Sequence, residues 1–97
     1  MIDRHVVTQL KQQAQDGKTA IAEYGSLTVK LVPCNKNGNA FLLIMSKGGN
    51  PPSPELCYEW GAALGVPRGT EWETGDLLAA AWCEWPSPYA VRKMVQP

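Results

Sequence analysis

Apolar residues recur at every fourth position at the start of the chain: Ile2, Val6, Leu10 and Ala14, with Val7 widening the stripe. That spacing predicts an amphipathic helix over residues 3–15, closed by Gly17 in the left-handed conformation. The period then changes. Residues 19–24 alternate weakly, and Leu27, Val29 and Leu31 alternate with Thr28 and Lys30, as in a half-buried strand that Pro33 ends. The two strands can pair across Gly25-Ser26. Lys36-Asn37-Gly38-Asn39 is a hairpin turn signal, because Asn and Gly tolerate the positive φ of a type I′ turn. Residues 40–45 are apolar throughout and predict a central strand covered on both faces.

Gly48-Gly49-Asn50-Pro51-Pro52 breaks this pattern into a loop. Ser53-Pro54-Glu55 has the chemistry of a helix start: a hydroxyl to cap free amides, a proline at the first position, a carboxylate at the positive end of the dipole. Leu56, Trp60 and Ala63 predict its inner face, Glu55 and Glu59 share an outward one, and Gly65 and Pro67 stop it. Residues 70–85 carry two periods at once. Thr70-x-x-Glu73 fits a capping box and the run from Leu77 to Trp82 favours helix, whereas Leu77, Ala79, Ala81, Cys83 and Trp85 alternate as a strand would. Helix is preferred, since three consecutive alanines seldom build strands. Pro86 ends the element, and Ser87-Pro88 repeats the serine-proline start, predicting a short basic helix over residues 89–95. The expected fold is α+β: an N-terminal helix, a three-stranded antiparallel meander, then two or three short helices packed against the sheet, in a single domain over residues 1–97.

Charge adds the most telling feature. Between Ser53 and Ser87 lie Glu55, Glu59, Glu71, Glu73, Asp76 and Glu84 against Arg68 alone, so six carboxylates face one base and leave −5. The chain as a whole is neutral, and all four tryptophans, Trp60, Trp72, Trp82 and Trp85, fall in the acidic segment. With 44% hydrophobic and 19% charged residues, the 97-residue chain is globular and has one modest core. No apolar run approaches the roughly 18 residues of a membrane helix. Met1-Ile2-Asp3-Arg4-His5 lacks the charged and apolar regions of a signal peptide, so a cytoplasmic location is expected.

Candidate chemistry is sparse. Cys34, Cys57 and Cys83 are widely spaced and show neither zinc-ligand nor disulfide-framework spacing, so each is expected as a small core residue. His5 is the sole histidine, and no glycine-rich phosphate loop is present. Glu71, Glu73 and Asp76 lack the ligand spacing of a calcium loop. Neither catalysis, a cofactor nor a metal is expected. The segment from Trp60 to Thr70 resembles a helix-turn-helix, the alternative function being a small DNA-binding regulator. Against it, Glu71 falls where that motif wants a buried aliphatic, and the reading helix would present acidic groups to phosphate.

Trp60 and Trp82 are expected in the core, Trp72 and Trp85 near the surface beside carboxylates. In size and charge layout the chain looks like the small orphan proteins of phages and mobile elements, anti-CRISPR proteins among them. That resemblance implies a non-enzymatic inhibitor that occludes the basic groove of a nucleic-acid-binding effector, in the host cytosol if a phage encodes it. It carries over no functional residue. The expected docking surface is Glu55, Glu59, Glu71, Trp72, Glu73, Asp76, Glu84 and Trp85, carboxylates standing in for phosphates and Trp72 or Trp85 supplying an apolar anchor. The expected partner is a protein with a basic surface rather than nucleic acid or membrane, and exposed tryptophans would equally serve a homo-oligomer.

Overall fold

The computed structural model describes residues 2–34 and 40–85. Asp3 starts the first helix, its carboxylate accepting the backbone N–H of His5 at 2.9 Å and of Val6 at 3.4 Å. With those amides satisfied, α1 runs Arg4–Gln15 and buries Val7, Leu10 and Ala14. Gly17, at φ 79°, turns the chain out of the helix. Strands β1 (Ala20–Tyr24) and β2 (Leu27–Pro33) follow as an antiparallel pair that brings Tyr24 opposite Leu27. Only Gly25 and Ser26 lie between them, and Gly25 supplies the positive φ, 63°, that such a short turn needs. β3 (Ala40–Lys47) pairs antiparallel with β2. The turn signal at residues 36–39 lies outside the described residues.

α2 spans Pro54–Leu64, with the Ser53 hydroxyl accepting the Leu56 N–H at 3.3 Å and Gly65 ending the helix at φ 96°. Its buried stripe is Cys57, Trp60, Gly61 and Leu64, with Leu56 and Ala63 half-buried beside it. No helix among the described residues is long and apolar enough to cross a membrane.

The structure is α+β, but its sheet has five strands rather than three. Residues expected to form a helix make β4 (Glu73–Thr74) and β5 (Ala79–Glu84), and the antiparallel order is β1-β2-β3-β5-β4. Strand β5 sets Ala79, Ala81 and Cys83 opposite Met45, Leu43 and Phe41, all six buried. Without it, the most apolar strand of the chain would expose a row of unpaired backbone groups. Satisfying that row outweighs the few tenths of a kcal/mol per residue by which these side chains favour helix. One helix, not two or three, follows β3 among the described residues, and the helix expected over residues 89–95 lies outside them.

Both helices cover the same face of the sheet. Val7, Leu10, Ala14, Trp60 and Leu64 pack with Val29, Leu31, Phe41, Leu43 and Met45 in one core. β3 is central, and among the described residues helices cover it on this face only; on the other, Leu42 and Ile44 are half-buried while Ala40 is buried. Trp60 is fully buried and tilts over Tyr24 at 6.0 Å between ring centres. Its indole N–H meets no acceptor among the described residues, so packing alone holds the ring. Trp82, expected in the core, is 49% exposed, because strand alternation turns it to the uncovered face.

Two glycines four positions apart, Gly61 within α2 and Gly65 at its end, receive the indoles of Trp72 and Trp85. A Cβ on Gly61 would sit 2.7 Å from Trp72 Cζ2, and one on Gly65 would sit 2.5 Å from Trp85 Nε1. The Trp85 indole donates to the Leu64 carbonyl at 2.6 Å and its ring lies 4.3 Å from that of Phe41. Gly65→Ala would add both the cost of a left-handed φ and a clash with Trp85, so a loss of about 2–4 kcal/mol is expected. Urea denaturation measures it; an unchanged midpoint would contradict this packing.

Candidate functional site

An open groove of about 960 Å³ runs along one side of α2. Three rigid prolines, Pro51, Pro52 and Pro54, form its approach, and Tyr58 and Ala62 project from the helix. Tyr58 falls off the Cys57–Trp60–Gly61–Leu64 stripe and is therefore 62% exposed. The opposite wall is the segment after α2. Val66 donates its N–H to the Gly61 carbonyl at 2.8 Å, which folds the chain back along the helix. A tight turn over Pro67-Arg68-Gly69-Thr70 follows, with Gly69 at φ 81° and the Thr70 N–H and hydroxyl both donating to the Pro67 carbonyl, at 3.2 and 2.7 Å. That turn holds Arg68 at an exposed corner. Trp72 then lies against Gly61, half-buried, as part of the groove lining.

The structure divides the expected docking residues. Glu59, Glu71 and Trp72 line the groove together. Glu55 is exposed on the first turn of α2, one helical turn before Glu59. Glu73 sits on the edge strand β4 opposite Ala80, and exposed Asp76 lies in the β4–β5 connection. Glu84 stands apart at the far end of β5, opposite Ala40. Trp85 is largely committed to packing against Gly65 and Phe41, with the Lys11 ammonium 6.0 Å from its ring centre. Tyr58, Val66, Arg68 and the prolines line the groove without being among the expected docking residues. Tyr58 had a legible signal, an aromatic outside the buried stripe of its helix. The groove's other wall had none, because it depends on how the chain returns after Gly65.

No helix forms over residues 66–76, where a helix-turn-helix would place its reader; turns and β4 occupy that stretch. Among the described residues, no three His, Cys, Asp or Glu side chains converge as metal ligands. The thiols differ sharply. Cys34, expected in the core, is exposed and donates to the Val32 carbonyl at 3.3 Å. Burial raises the Cys57 thiol, and burial followed by the nearby Cys34 pushes Cys83 from 9.0 up to about 11. No family model matches the chain, and no curated protein or solved structure matches it either.

A maleimide at neutral pH should therefore modify Cys34 and spare Cys57 and Cys83 until denaturant is added, as intact-protein mass spectrometry would record. Because the raised Cys83 pKa favours the protonated thiol in the folded state, its stabilisation is complete below the unfolded value of 9.0 and is lost as pH rises through about 11. Urea midpoints should accordingly be level up to pH 9.0 and fall above it. A Cys83→Ser variant should show a smaller alkaline decline.

Proposed function

We propose that this chain is a non-enzymatic binding protein whose groove receives a basic segment on the surface of a protein partner. One observation carries the reading: two partly exposed aromatics, Tyr58 and Trp72, share a rigid, proline-edged groove with the carboxylates of Glu59 and Glu71. Aromatic faces accept the aliphatic stem and the cation of an arginine or lysine, and carboxylates at the margin steer and orient it. Exposed Glu55, Glu73 and Asp76 extend the negative field beyond the groove. In this reading the protein acts by covering its partner's basic site, as the resemblance to inhibitors of nucleic-acid-binding effectors implies.

Reversing Glu59 and Glu71 together to lysine should weaken capture of the partner by about 1–2 kcal/mol, roughly tenfold, with the difference shrinking at high salt. Tyr58→Ala, at an exposed position that leaves the core intact, should weaken it at every salt concentration. Pull-down from the native host with quantitative mass spectrometry measures both. Equal recovery of the same proteins by wild type and the Glu59/Glu71 reversal would sink the idea, and salt-sensitive duplex retention in a gel-shift series would point to nucleic acid instead.

A further inference from the structure

The face of the sheet turned away from the helices is uncovered among the described residues, and strand alternation decides what it presents. Val32, Leu42, Ile44 and Ala80 are half-buried on it, Ala40 is buried at the Glu84 end, Trp82 is 49% exposed, and Glu23 and Glu84 are exposed toward its margins. Isolated apolar side chains on a surface are ordinary, but a contiguous apolar sheet face crossed by charge marks an interface.

The strand register makes this face self-complementary. One row of paired positions runs from edge to edge as Ile21, Lys30, Ile44, Ala80 and Glu73. A neighbouring row on the same face runs Val32, Leu42 and Trp82. Lys30 therefore lies on β2 and Glu73 on β4, with one residue each from β3 and β5 between them. Consider a second copy rotated by 180° about an axis lying in this face, parallel to the strands and midway between β3 and β5. The rotation exchanges β3 with β5 and β2 with β4. Ile44 then covers the second copy's Ala80, Leu42 covers its Trp82, and Lys30 meets its Glu73, each contact occurring twice. Strand direction is unchanged by this operation, so the two sheets stack aligned, about 10 Å apart, as in a sandwich.

We propose that two copies of this chain associate face to face through the open side of the sheet, with Leu42, Ile44 and Trp82 as the apolar centre and Lys30–Glu73 pairs fixing the register. The opposite signs of Lys30 and Glu73 at symmetry-related positions select a second copy as the occupant, because a twofold interface must match its own surface. The groove is built on α2, which covers the other face; the two share Glu73 alone, which does not line the groove, so Tyr58 and Glu59/Glu71 variants test the groove while Lys30 and Trp82 variants test this interface.

Sedimentation equilibrium of the full chain over a concentration series tests it, with circular dichroism confirming that each variant is folded. Wild type should approach twice the 10.6 kDa chain mass. Trp82→Lys, at a half-exposed site, should remain monomeric. Lys30→Glu and Glu73→Lys should each weaken the dimer roughly tenfold or more by opposing like charges, whereas the K30E/E73K double variant restores it. An equimolar mixture of the two single variants should form a mixed dimer, since each supplies the charge the other lacks. A wild-type chain that stays monomeric throughout overturns the proposal and leaves the face to residues 86–97 or to a different protein. So does a dimer whose affinity is indifferent to Lys30, Glu73 and Trp82.

Discussion

The seating of two indoles on two glycines, one within α2 and one capping it, organises the second half of this molecule. Trp85 rests on Gly65 and Trp72 on Gly61, at approaches that no side chain larger than hydrogen would allow. The first contact joins the end of β5 to the end of α2 and is locked by the hydrogen bond from Trp85 to Leu64. The second pins the loop that returns from α2 toward β4. Each ring brings a large apolar area and a defined geometry. Between them they decide where the chain goes after the helix, and hence that a groove exists there at all.

From that constraint follows a one-sided architecture. Both helices lie over one face of the sheet, so the single core forms there and takes Trp60 at its centre. Among the described residues no helix lies over the opposite face. Most of its apolar side chains are half-buried, Ala40 is buried, and Trp82 stands out as 49% exposed. The described residues thus present two open surfaces of different chemistry. The groove on α2 is acidic and aromatic. The open sheet face is apolar at its centre, with Lys30 and Glu73 placed symmetrically about it and Glu23 and Glu84 nearer its margins.

The acidic segment illustrates how topology redistributes a linear feature. Six carboxylates that are near neighbours in sequence are assigned to α2, the returning loop, the edge hairpin and the far end of β5. Glu59 and Glu71 are brought together although twelve positions apart, while Glu84 is carried away from both. Trp72 and Trp85 likewise part company. One lines a solvent-accessible groove, and the other supports the core.

Local pattern was enough to determine α1 with its Asp3 cap and Gly17 exit, the β1–β2 pair about Gly25-Ser26, the β3 strand, and the Ser53 start of α2. In each of these the periodicity, the caps and the turn residues favour a single conformation within a few neighbouring positions. Residues 70–85 differ because their local preferences conflict: alanine propensity and a capping pattern favour helix, and the alternation of Ala79, Ala81 and Cys83 favours strand. The open edge of β3 resolves the conflict, and that edge lies more than thirty residues earlier in the chain. Once β5 forms, Trp82 must face outward and the short β4 must follow along the edge. The groove was equally hidden, because it arises where two stretches distant in pattern meet across a pair of glycines. Charge and aromatic content were therefore written in the amino-acid order, whereas which of them share a surface depended on non-local backbone pairing and close packing.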